Sequence, residues 1–318
     1  MPMTARRKDS VMAEIRIGIS GWTYPPWRKV FYPEGLPQRR ELEYASRAVT
    51  SIEINGTFYG LQKPASYRKW AAETPDDFVY AVKGNRFITH IRRLREVETP
   101  LANFFASGPL ELGDKLGPFL WQFPPSFQYD AELLENFFGL LPETGEEALE
   151  LAHHHSDTIK AEDFSEGNSA KRLRHAIEVR HKSFENEEFI ALLRKFHIAL
   201  VVADTAGKWP FMEDLTSDFV YARLHGDKKL YVSGYSEEAL DRWARKVDRW
   251  AKGGSPRDAR LQTPAPEPRK SGRDVFVYFD NDVKVHAPFD AMSLAKRLGV
   301  QSPHEFDLPE AKRKKKSS

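Results

Sequence analysis

Eight short runs rich in β-branched and aromatic residues recur along the 318-residue chain, near 15–19, 49–54, 78–83, 117–122, 175–180, 198–203, 219–225 and 274–280. Between most of them lie longer amphipathic stretches: Gln38 to Ala48, Ala65 to Glu73, Ala131 to Leu140, Glu187 to Phe196, Ser236 to Lys252 and Pro288 to Leu298. Parallel strands need a crossover long enough to bring the chain back, usually a helix, so this alternation restricts the chain to α/β architectures. Eight repeats in this length predict a single (β/α)8 TIM barrel, with a doubly wound open sheet as the competing arrangement. The barrel is expected over 15–300, between a disordered N-terminus at 1–14 and a basic tail at 301–318.

Two stretches interrupt the rhythm. Pro142 to Arg172 is acidic and reads as a surface insertion before the fifth strand. Gly253 to Arg273 carries Pro256, Pro264, Pro266 and Pro268 and reads as a mobile, partly extended loop before the eighth. The alternation resumes after each, so neither is a domain linker. His153, His154 and His155 are consecutive and point in different directions, so they imply no regular metal site.

Composition narrows the chemistry. With no cysteine, thiolate metal sites, disulfides and cysteine nucleophiles are excluded, and a reducing compartment is compatible. There is no apolar run long enough to span a bilayer and no signal-peptide pattern, which predicts a soluble cytoplasmic protein, a monomer by default. A net charge of +2 gives no global field for nucleic acid, so anion binding must be local. The tail cluster Lys312, Arg313, Lys314, Lys315 and Lys316 reads as a solvated end.

Function is signalled by polar residues inside strands. Barrel strands are covered on both faces and should be almost continuously apolar. Instead Ser51, Glu53 and Asn55 alternate with Ile52 and Ile54, Glu178 and Arg180 with Ile177 and Val179, and Tyr221, Arg223 and His225 with Val220, Ala222 and Leu224. Because side chains alternate across a strand, the polar sets must point into the barrel lumen. They gather late in each strand, as do Lys83, Gln122, Asp204, and Asp280 with Asn281 and Asp282, and barrel enzymes carry their chemistry at that end. The competing reading is an ion-pair network that merely plugs the barrel. Aromatic residues after the first two strands, above all Trp22 and Tyr59, offer faces for stacking a base or sugar ring.

The motifs GWTYPPW with FYP, EINGTFY at 53–59, ITH at 88–90 after the Lys83 strand, LWQFPP at 120–125, EVRH at 178–181, YARLHG at 221–226 and YFDN at 278–281 follow one another in order. Through them the chain resembles the YecE-like family, also called domain of unknown function family 72, over nearly its whole length. The resemblance implies a barrel related to xylose isomerase-like enzymes and no particular activity. Asp280 stands where that family usually has asparagine, and Phe184 where a tryptophan commonly follows the fifth-strand motif.

Lys83, Arg180 and Arg223 on alternate strands suit a phosphate or carboxylate, so the leading expectation is a hydrolase of an anionic phosphorylated substrate, a nucleic-acid fragment or a sugar phosphate. Glu53, Glu178 and His225 are the proton-transfer candidates, since a carboxylate in a dry pocket can be raised toward neutrality. Trp22, Asn55, Tyr59, Lys83, His90, Gln122, Arg180, Asp204, Arg223, Asp280 and Asn281 are the expected substrate contacts. No organic cofactor is predicted. A divalent metal held by Glu53, Glu178, Asp204 and His225 would instead make an isomerase or endonuclease-like enzyme. The same residues also allow a noncatalytic nucleic-acid-binding protein, or a glycosidase built on Glu53 and Glu178. As functional groups, Glu178→Gln and Arg223→Ala should leave the fold intact or more stable.

Overall fold

A computed structural model describes residues 13–157, 171–231, 233–281 and 285–307. Residues 1–12, part of the insertion, Asp282 and the basic cluster at 312–316 lie outside the described residues. Eight strands, β1 (Ile15–Ser20), β2 (Ser51–Ile54), β3 (Val79–Lys83), β4 (Leu116–Gln122), β5 (His175–Glu178), β6 (Ala199–Asp204), β7 (Phe219–Leu224) and β8 (Asp274–Phe279), pair in chain order, all parallel. β8 returns to β1, so the sheet closes as the expected TIM barrel.

Around it run α1 (Glu41–Ala48), α2 (Gly56–Tyr59), α3 (Pro64–Glu73), α4 (Glu98–Ala106), α5 (Ala131–Gly139), α6 (Gly145–His153), α7 (Glu187–Lys195), α8 (Glu237–Ala251) and α9 (His286–Leu298). Several start where their sequence says they should. Asp130, Asn186 and Ser236 each accept a hydrogen bond from the backbone N–H three residues on, capping α5, α7 and α8. No helix among the described residues is long and apolar enough to cross a membrane.

The strand alternation sorts the core in two. Ile52, Ile54, Trp121, Ile177, Val220, Val277 and their neighbours face the helices. Ala81, Leu120, Ala176, Val201, Phe219, Tyr221, Phe276 and Tyr278 fill the lower lumen. Above them the same inward face carries Glu53, Lys83, Gln122, Glu178 and Arg223. The fifth, seventh and eighth strands end sooner than expected. Single bonds nevertheless carry the alternation further, from His225 N to the Asp204 carbonyl and from Asp280 N to the Leu224 carbonyl, both 2.9 Å.

The described residues of both interruptions make defined contacts. Within the insertion, α6 packs on α4 through buried Ala148 and Ala152, and antiparallel bonds join 143–145 to 171–173. The Pro-rich loop is tied down rather than loose where it meets the end of the β6 loop. The buried Asp214 carboxylate accepts from the backbone N–H of Gln262 and Thr263, and Glu213 accepts from that of Arg260.

Candidate functional site

Register brings three strands to one cation. Arg223, from β7, is fully buried and its guanidinium lies against Glu53 of β2 through two bonds, Nη2 to Oε1 at 2.8 Å and Nε to Oε2 at 3.0 Å. Nη1 reaches Oε2 of Glu178, from β5, at 2.6 Å, and Nη2 also reaches Oδ2 of Asp280 at 2.8 Å. Glu53 further accepts from Ser20 Oγ at 3.0 Å and Tyr221 OH at 2.6 Å, so both of its oxygens are committed. Below, Ser51 Oγ meets Tyr278 OH at 2.7 Å. This layer is a satisfied ion-pair plug, the form in which charge can remain inside a barrel.

A second polar layer sits on top of it. Arg180 follows β5, donates from Nε to Glu178 Oε1 at 2.7 Å and from Nη2 to Gln122 Oε1 at 3.0 Å, and lies 3.9 Å above the centre of the Trp209 ring. Tyr231 OH also accepts from Nη2, at 3.3 Å, and its ring meets that of His225 edge to face. His225 is buried, with Nε2 3.5 Å from Arg223 Nη1 and Nδ1 3.1 Å from Asp280 Oδ2, the latter without the angle of a hydrogen bond. Lys83 closes the ring of strands, with Nζ 4.5 Å from the centre of the Phe58 ring. His90 sits beside it in a single π turn, Phe87–Ile91, with Nδ1 2.8 Å from Thr89 Oγ1 and its ring edge to face with Phe58.

These surroundings set the protonation states. Burial would push the Glu178 carboxyl up, but Arg180 and Arg223 outweigh it and hold Glu178 well below the usual carboxylate range. Asp280 is likewise held down by Arg223 and His225 against its burial. Glu178, expected to move a proton, thus has an arginine on each oxygen. Burial, then the charges of Lys83, Arg180 and Arg86, pull His90 down to about 4, leaving a neutral imidazole in a positive field. Burial and the neighbouring Arg223 pull Lys83 down to about 8, against Glu53, Glu178 and Asp280.

The structure brings together Glu53, Lys83, His90, Gln122, Glu178, Arg180, Arg223, His225 and Asp280 and separates the rest. Trp22, Asn55 and Tyr59 line another cavity, of about 270 Å³, with Gln62 and Trp70 between the β1 and β2 loops. Asp204 and Asn281 themselves fall on the outward-facing side of the alternation. Asp204 accepts from Tyr235 OH and borders a separate cleft with Arg242 and Lys246, while Asn281 donates to Asp290 and the Ser233 carbonyl. The metal set Glu53, Glu178, Asp204 and His225 does not fit: Arg223 occupies the space between the glutamates, Asp204 faces away, and among the described residues no three such groups are placed to hold a metal. The two carboxylates of the glycosidase reading, Glu53 and Glu178, are bridged by that same Arg223. Sequence reasoning missed Trp209 and Tyr231, aromatic residues in loops after β6 and β7, the signal that had singled out Trp22.

A closed parallel barrel with a charged layer at the carboxyl ends of its strands defines a (β/α)8-barrel protein with its polar site in the position such enzymes use. Within that class the chain belongs to the family described as protein of unknown function DUF72, whose pattern matches residues 16–315 and so runs into the stretch read as a tail. It is 29% identical over 140 residues to UPF0759 protein YecE of Escherichia coli (strain K12), covering 44% of this chain and 48% of the relative. It is 28% identical over 123 residues to UPF0759 protein YunF of Bacillus subtilis (strain 168), covering 37% and 43%. The matched region thus spans about half the length of these curated relatives. Among known structures it resembles a DUF72 family protein from Thermotoga maritima MSB8, with TM-score 0.69 and 24% identity over 90% of this chain and 99% of that one. Another, from Enterococcus faecalis V583, has TM-score 0.63 and 17% identity over 92% and 100%. At these identities the structural likeness bears on the fold alone.

Proposed function

We propose that this protein is a hydrolase of a small phosphorylated substrate, bound at the carboxyl end of the barrel and working in the cytoplasm. The observation that carries this reading is the positive field above the plug. Arg223 is consumed by three carboxylates, but Lys83 Nζ and Arg180 Nη1 have no hydrogen-bond or ion-pair partner among the described residues, and His90, in the field of both cations, stays neutral. An anion completes that arrangement: Arg180 offers a fixed planar donor, Lys83 a point charge, and neither must give up an existing ion pair through those atoms. His90 is then placed to take a proton from an attacking water, and Glu178 and Asp280 act by fixing Arg180 and His225 rather than by moving protons. Solvent reaches the layer past Asp280 and Arg180, whose side chains are 16% and 10% exposed, an opening suited to a small ligand.

The test is hydrolysis of p-nitrophenyl phosphate and its bis-ester, with inorganic phosphate as competitor. Turnover that phosphate inhibits, and that Arg180→Met lowers about a hundredfold in protein that still folds, is the expected result. Neither turnover nor phosphate binding sinks the proposal. Salt-sensitive binding of single-stranded oligonucleotide without turnover would move the protein to the nucleic-acid-binding reading.

A further inference from the structure

Lys83 has an environment unlike that of the two buried arginines. It faces the lumen at the end of β3, is only 8% exposed, and sits against an aromatic face. The carboxylates around it, Glu53 from β2, Glu178 from β5 and Asp280 from β8, are already bonded to Arg223 and Arg180, and no described residue gives its Nζ a hydrogen bond or ion pair. Burial outweighs the attraction of those carboxylates, so this ammonium gives up its proton more readily than an exposed one, and an amine beside a second cation is the form in which lysine becomes a nucleophile.

We propose that Lys83 is a catalytic amine that captures the carbonyl carbon of a small anionic aldehyde or ketone as an iminium, with Arg180 holding the anionic group. The choice of an anionic substrate rests on the function proposed above; the amine chemistry rests on Lys83 itself. The step balances within the site. Lys83 first gives up one proton, for which neutral His90, packed on the same Phe58 ring, is the acceptor. The amine lone pair then forms the C–N bond as the carbonyl π pair moves to oxygen, that oxygen takes one proton from the nitrogen and the other back from His90, and the C–O bond breaks to release one water. Ammonium plus carbonyl thus becomes iminium plus water. The site carries the same charge before and after, so Glu53, Glu178 and Asp280 stabilise the iminium without rearranging. An open-chain sugar phosphate carries both required groups.

The groups that face Lys83 are Glu53, Glu178, Arg223, Asp280 and His90, and they define the pH behaviour. The intact protein is incubated with glycolaldehyde phosphate, reduced with borohydride and mapped by peptide mass spectrometry, with glycolaldehyde in parallel. The expected result is a reduced adduct on Lys83 ahead of every surface lysine. Its rate should level off near pH 8, while surface lysines keep gaining reactivity toward about pH 10.4. In Lys83→Arg, which retains the charge, incorporation falls at least about tenfold. Labelling confined to surface lysines, with Lys83 unmodified, overturns the proposal. Equal labelling of Lys83 by both aldehydes upholds the amine chemistry while overturning the anionic substrate, and phosphoester hydrolysis with Lys83 unlabelled does the reverse.

Discussion

Removing the guanidinium of Arg223 leaves Glu53 and Glu178, both fully buried, with no cation between them. An uncompensated buried charge costs about 3–5 kcal/mol, so Arg223→Met should lower the unfolding free energy by that order, read from urea transitions followed by far-ultraviolet dichroism. The outcome expected for a purely functional residue, an unchanged or more stable fold, is replaced by this one because every donor edge of Arg223 is bonded inside the barrel. Lys83→Met should have the opposite sign. An amine whose pKa in the fold, about 8, lies below its unfolded value penalises the fold wherever the unfolded chain binds more protons. That penalty is fully present below pH 8 and fades as pH rises toward about 10.4. The methionine variant should therefore be more stable than wild type at pH 7, by up to about 3 kcal/mol, and the gain should shrink at pH 10. An equal gain at both pH values would contradict the origin assigned to it.

Among the elements, the loop that leaves β3 is the one whose packing holds the site. A Cβ added at Gly84 would stand 2.2 Å from the buried Trp121 ring on β4, so the strand end bearing Lys83 approaches its neighbour as only glycine allows. Gly84→Ala should cost about 1–3 kcal/mol by overpacking, and lower Lys83 labelling as the strand end shifts; labelling equal to wild type would show that the strand end had not moved. The elements also show what the sequence could tell. All eight strands were legible as short β-branched and aromatic runs, and the alternation within the second, fifth and seventh named Glu53, Glu178, Arg180, Arg223 and His225 together, with Lys83 added by its place at a strand end. α4 was not legible: Leu101, Ala102, Phe104, Phe105 and Ala106 are buried on all sides, which erases the helical period. Asp204 and Asn281 were misplaced because strand parity, not proximity to a strand end, decides which way a side chain points. Trp22 and Tyr59 belong to a neighbouring cavity because loop geometry has no comparable periodic signature.

For the molecule as a whole, closure is the governing fact. Glu14 bonds to Asp274 and Val275 across the β1–β8 seam, a sequence separation of 260 in the first case, so no strand is left at a free edge. With the tryptophans at 22, 27, 70, 121, 209, 243 and 250 distributed around the ring, fluorescence and circular dichroism should report one thermal midpoint; two separated midpoints would show that part of the barrel melts alone. The plug also imposes an order of events on the growing chain. Glu53 and Glu178 leave the ribosome long before Arg223, and until then each carboxylate has reason to stay in water. A half-made barrel therefore carries its own deterrent to premature collapse, lifted when the seventh strand arrives with the charge that lets the lumen close.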